Sequence, residues 1–380
     1  MSECQYVAFR AIDAPVSEKN LGFMRQQSTR AKITAWSFDN EYHFGDFHGD
    51  ALEMLRRGYD FHFHYADFGI RKLMIRFPHG LPDARTTQTY FEDGSLDFLK
   101  DKHGLGGILR LEPFIEPGDL DVLLDVGDLF DRLIPVRAEI LDGDLRPLYL
   151  AHLAVASDGN HDPDEEDGAP VPAGLDKLTD AQHALAELYG LSDAFIAAAA
   201  RGCPPLPTRA NPDENYAKWL VGQPEATRIA WLRRLMQEGD AVVRREILAE
   251  FHKSHVAARW PTTGLDRTIA ELKETAEAIQ NEKKLRDAEE ATRQRARKRA
   301  DMAADPMRFL RKTDDLLEQR TLFAYDEIAM LLADLREALS NTNQWNLAEQ
   351  QARKLKDENP TLRHLTAELR RQGFLKKKSD

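Results

Sequence analysis

One stretch decides how the front of this chain can fold. Gly58–Gly69, GYDFHFHYADFG, packs two histidines, two aspartates and five aromatic rings into twelve residues. As a strand it places His62 and His64 on one face and Phe61, Phe63 and Tyr65 on the other. As a helix running from Asp50 to Ala66 it is capped by Asp50 and buries Leu52, Leu55, Tyr59, Phe63 and Ala66. The histidines then fall about 200° apart, too far to share an ion. The helix also supplies a crossover before the strand expected at Ile70, and it is the reading we prefer. Gly58 is its weak point.

The neighbouring segments read as α/β. QYVAFRAI (Gln5–Ile12) is rich in strand formers. Ser17 is placed to cap a helix with Leu21 and Met24 on one side. AKITAWSFDNEYHF (Ala31–Phe44) and IRKLMIRF (Ile70–Phe77, stopped by Pro78) are strand-like, and Asp93-Gly94 suggests a hairpin. Residues 1–115 are therefore expected to form a small α/β domain.

The texture then turns helical. We expect a helical connection over 116–157, an acidic Pro/Gly loop over 158–174 and a helical domain over 175–262. Ile229, Leu232, Leu235, Met236, Val243, Ile247 and Phe251 recur there at helical intervals. A long charged helix follows over 263–305. Its apolar positions Ile269, Leu272, Ala276 and Ile279 keep a coiled-coil rhythm for about two heptads. Residues 306–380 read as a helical hairpin plus one helix, closed by Gly373. The fold class is thus α+β.

The totals limit function. A net charge of −12, carried by the front, argues against non-specific nucleic-acid binding by that half. No run approaches the ~20 apolar residues of a membrane span. Cys4 and Cys203 sit in no paired motif, which with the absence of a signal-like start points to the cytoplasm.

Four candidate chemistries stand out. Glu41 and His43 share a strand face, and with Asp46 and His62 they offer the makings of a divalent-metal site. The bland alternative is a polar strand end whose turns use Gly45, Gly49, Asp46 and Asp50. Asp67-Phe68-Gly69 matches the kinase metal triplet but has no glycine-rich loop, paired lysine or catalytic loop beside it. Asp158-Gly159-Asn160-His161-Asp162 starts like a calcium loop, yet Pro163 stands where glycine is required. Arg293, Arg295, Arg297, Lys298 and Arg299 form a basic run that could touch phosphates. Helical geometry spreads those charges around the axis, as in a solvated helix. No G-x-S-x-G elbow is present, so acyl transfer has no visible nucleophile.

Several stretches resemble a bacterial family with an α/β front, a helical middle and a charged coiled tail, to which no activity is attached. They are AIDAPVSEK, STRAKITAWSFDNEYHFGDFHGD, HYADFGIRKLMIRFP, IPVRAEILDGDLRPLYLAHLA and APVPAGLDKLT. Similar members carry Asn and Trp where this chain has Asp67 and Phe68, which implies no special role for that triplet. The resemblance implies a bacterial cytoplasmic protein and leaves its function open.

The expectation is a non-enzymatic interaction or adaptor protein, meeting a protein partner or a second copy through 263–380. No cofactor is expected. The alternatives are a divalent-metal hydrolase or nuclease using Glu41, His43, Asp46 and His62, and a nucleic-acid accessory factor using residues 293–299.

Overall fold

A computed structural model describes residues 4–376 apart from 44, 83, 93, 103–105, 116–124, 158–168, 208–211, 239–242, 244–246, 248–249, 252–259 and 266. It decides the opening question against the long helix. The helix that Asp50 caps spans only Ala51–Arg56. Gly58 then takes φ +142, a conformation open to glycine. The chain leaves it as a strand, Phe61–Ala66, with the next strand antiparallel to it. The reason lies in burial. Phe61, His62, Phe63, Tyr65 and Ala66 are all buried, so the segment lacks the polar face that an amphipathic surface helix needs.

The front contains β1 (Gln5–Arg10), α1 (Glu18–Gln26), β2 (Lys32–Ile33), β3 (Ser37–Tyr42), α2 (Ala51–Arg56) and β4 (Phe61–Ala66). It continues with β5 (Ile70–Phe77), α3 (Ala84–Thr87), β6 (Leu96–Lys100) and β7 (Gly107–Leu111). Seven strands form one antiparallel sheet in the order β2-β3-β1-β4-β5-β7-β6. The turn expected at Asp93-Gly94 is flanked by a Glu92–Leu96 bridge, but the arm before it is helical rather than a strand. Ser17 caps α1 as expected, and Leu21 and Met24 are buried.

Both faces of the sheet are covered. Val7, Phe9, Phe38 and Met74 pack with Leu21 and Met24 of α1 and Met54 and Leu55 of α2. On the other face, Ala8, Phe61, Phe63, Leu73 and Ile75 join a helical layer. That layer contains α4 (Val126–Leu133), α5 (Val136–Leu141), α6 (Arg146–Ala156), α7 (Asp180–Leu188) and α8 (Asp193–Ala199). Every residue of α6 from Arg146 to Val155 is buried. The α/β front and the helical middle therefore share one core and do not part at 115/116. The chain divides instead into Met1–Gln280 and Asn281–Asp380.

Two further expectations change. Part of the loop expected over 158–174 is structured: Val171–Pro172 (β8) pairs with Thr262–Thr263 (β9), and Ala169, Val171 and Ala173 are buried. The calcium-like start at 158–162 lies outside the described residues. The helical middle also adds α9 (Pro212–Gly222) and α10 (Glu225–Glu238). Ile229, Leu232 and Met236 of α10 are exposed, so they do not form the buried stripe their spacing suggested.

The long helix is α11 (Ile269–Ala304). Its apolar seam is already used: Ile269, Leu272 and Ala276 are buried in the core of the first unit. Those three positions therefore pack within the chain itself. Every residue from 281 to 301 is exposed, a solvated length on the order of 30 Å. The second unit then adds α12 (Pro306–Glu318), α13 (Leu322–Leu339), α14 (Leu347–Glu358) and α15 (Arg363–Arg371) around its own core. Asp305 caps α12 with Pro306 at its first position, so Pro306 begins a helix as well as ending one. Trp345 precedes α14 and is exposed.

Gly58→Ala tests the strand assignment. A Cβ there meets the Val16 Cγ2 at 3.4 Å on a backbone at φ +142. We expect a loss of about 1–3 kcal/mol in urea unfolding. A neutral result would show that this backbone conformation is not required.

Candidate functional site

The residues singled out as metal ligands do not converge. Glu41 lies opposite Tyr6 and His62 lies opposite Phe9 in the strand pairs flanking β1. Tyr6 and Phe9 are three residues apart on one strand, so Glu41 and His62 point to opposite faces of the sheet. Glu41 and His43 are exposed and 4.0 Å apart. His62 is 1% exposed and stacks on Phe9 with ring centroids 4.1 Å apart. Its Nδ1 donates to the Ala8 carbonyl at 3.2 Å, because a carbonyl can only accept.

Asp46 is drawn elsewhere. Gln5 Nε2 donates to Asp46 Oδ1 at 2.6 Å, which turns Gln5 Oε1 toward His64 to accept from Nε2 at 3.0 Å. Both imidazoles share one sheet face, as the strand reading required, with ring centroids 6.4 Å apart. Burial is the main force on each. It holds His62 well below the ordinary histidine range, with His64 and Lys72 adding to it. It lowers His64 to about 4, again with help from Lys72. Both rings are therefore neutral at pH 7, and their contacts are with aromatic neighbours and the hydrogen bonds named.

Asp67 of the kinase-like triplet accepts from the Cys4 backbone N–H at 3.2 Å, a structural use at a β-turn. Gly69 beside it sits at φ +115.

Sequence reasoning missed two buried charge clusters. In the first, Asp60 accepts from the backbone N–H groups of Ile12 and Asp13 at 2.6 and 2.9 Å. Arg137 clamps both Asp13 carboxylate oxygens and donates through Nε to Arg76 O at 2.8 Å. In the second, Arg146 pairs with Asp144 at 2.7 Å, both almost fully buried. Gln182 donates to Asp144 at 3.1 Å and to Glu139 at 2.9 Å, and Thr179 donates to Glu139 at 2.6 Å. Burial pushes the Glu139 carboxyl up. Each member of these clusters is committed to a partner. They tie loops to helices. The signal available in the sequence was the placing of charges inside apolar runs.

The first unit also holds a cavity of about 440 Å³, within the range of small-molecule sites. Phe114, Ile115, Leu191 and Phe195 give it an apolar wall, and Lys273 and Glu277 of α11 stand on another side. Two wall residues, Ser157 and Tyr189, carry buried hydroxyls with no hydrogen-bond partner. No local pattern in the sequence signals this cavity, because its walls come from four separate segments.

In the second unit, part of the basic run is neutralised. Lys298 pairs with Asp334 at 2.6 Å and Arg299 with Glu337. Arg293, Arg295 and Arg297 lie on the exposed length of α11. The exposed face of α13 carries Leu322, Phe323 and Met330, exposed by 65%, 76% and 57%. Comparison of the chain with protein-family models, curated proteins and solved structures finds no match.

The histidine shift makes a pH prediction. His64 binds a proton near pH 6.5 when unfolded and near 4 when folded. The unfolded state therefore holds more protons between those values, and stability falls as pH drops through that window. Urea unfolding at pH 7 and pH 5 should show the loss. His64→Gln should shrink it, and an unchanged pH dependence in the variant would contradict the assignment.

Proposed function

We propose that this chain is a non-enzymatic interaction protein that engages a protein partner through its helical C-terminal half. The face of α13 carries the argument. Met330 lies eight and seven residues beyond Leu322 and Phe323, so the three share one side of the helix over two turns, with Asp326 and Glu327 in the turn between. The acids on the same face are spoken for. Asp326 faces His364 at 3.1 Å, Glu327 pairs with Lys312 at 2.9 Å, and Asp334 and Glu337 take Lys298 and Arg299. Exposed apolar side chains among acids that already have partners suit the apolar face of an amphipathic helix from another protein. It does not favour a basic segment.

The test uses full-length protein and its Phe323→Asp, Met330→Lys variant. Neither side chain is in the core, so the variant should unfold within about 0.5 kcal/mol of the parent. Affinity capture should recover a protein with the parent that the variant fails to retain. Recovery of the same set by both sinks the proposal. A concentration-dependent dimer in light scattering, abolished in the variant, would replace the partner by a second copy.

The cavity favours a second reading, in which the first unit is also a receptor for a small amphiphile. Its support is the apolar wall combined with two unpartnered hydroxyls and a charged side. A thermal-shift screen of small aromatic and branched carboxylates should raise the parent's melting temperature. Ala276→Phe, which fills the wall, should lose the shift. Shifts of equal size in both proteins would remove this reading.

A further inference from the structure

His364 and Glu368 stand one turn apart on α15, so they share a face. Asp326, in the first turns of α13, meets that face. One ligand atom from each of the three lies within 4.8 Å of the other two. His364 Nε2 approaches Asp326 Oδ1 to 3.1 Å. We propose that Asp326, His364 and Glu368 bind one divalent transition-metal ion, which fastens α15 to α13. This inference stands apart from the partner reading and needs no part of it.

A second observation points to a cation. Glu368 is only 8% exposed, and its Oε2 is shielded from water with no hydrogen bond. Arg371 approaches that oxygen to 2.6 Å without the alignment of a hydrogen bond, and its side chain is 63% exposed. A carboxylate this buried is costly without positive charge beside it, and a metal ion bound by the three residues would add to what Arg371 supplies. Arg371 extends to solvent and is free to swing off as the ion enters.

The donor set selects the ion. One imidazole and two carboxylates suit zinc, cobalt or manganese, whereas magnesium and calcium prefer oxygen alone. Asp326 and His364 are 43% and 39% exposed, which leaves room for water as a fourth ligand. His364 Nε2 carries its proton toward Asp326 now, since the carboxylate accepts. On binding, the Nε2 lone pair goes to the metal and the proton moves to Nδ1 or to solvent.

Full-length protein without a histidine tag, stripped with chelator, would be titrated with Co²⁺ and followed by visible absorption and calorimetry. The expected result is one Co²⁺ per chain, displaced by Zn²⁺. His364→Ala should weaken binding by about 100-fold or more, and Asp326→Asn by about tenfold or more. His43→Ala, at the exposed end of β3, should leave binding unchanged. Far-UV circular dichroism establishes that each variant is folded, and Asp326→Asn keeps the test alive should His364→Ala unfold. Absence of stoichiometric Co²⁺ binding overturns the site, as does parent-like binding by His364→Ala or Asp326→Asn.

Discussion

Strand β4 has no wet face, and the architecture of the first unit follows from that. It is flanked on both sides, by β1 and β5. One of its surfaces meets the layer made by α1 and α2, the other the layer built around α6. An antiparallel sheet usually leaves one side to solvent and shows alternation. This one does not. Its centre must be apolar or internally satisfied at every position, which is why aromatic rings and neutral imidazoles fill it. His62 is admissible there because it sheds its charge and donates to a carbonyl of the next strand.

The same enclosure explains the buried ions. With the sheet covered on both sides, the β1–α1 loop at Ile12 and Asp13 is half-buried and Asp60, just before β4, is fully buried. Their backbone groups then lose water and need partners. Asp60 supplies two of those partners to Ile12 and Asp13, and Arg137 brings the opposite charge from α5. Arg146 does the corresponding work within the helical layer, donating to the Gly174 and Lys177 carbonyls while paired with Asp144. Removing one member of a fully buried pair such as Arg146–Asp144 typically costs about 3–5 kcal/mol. These charges therefore belong to the scaffold.

Local signals were legible where local chemistry decides the outcome. Ser17 and Asp50 cap helices, because a side-chain oxygen three residues before an amide is a local match. The β1 and β5 segments were legible from their residue types. What failed was non-local. The length of the helix after Asp50 depended on what covers Phe61–Ala66, and no periodicity reports that. The seam of α11 was read correctly as apolar, but its destination was the chain's own core. Glu41 and His43 do not meet His62, and the reason is parity. Each residue type was suitable, and one strand's alternation sent them to opposite sides.

The second unit applies charge in the opposite sense, at its surface. On α13 the four acids Asp326, Glu327, Asp334 and Glu337 draw cations or imidazole from α15, α12 and α11. Exposed pairs of this kind contribute little stability each. Without them the face would be an acidic stripe holding three apolar side chains, open to any basic segment. With three of the four carboxylates paired to Lys or Arg the negative field is reduced, and the proposed partner would match Leu322, Phe323 and Met330 mainly by shape. Asp326 belongs to this scheme and to the His364–Glu368 cluster as well, so an ion held there would set the position of α15 beside the same face.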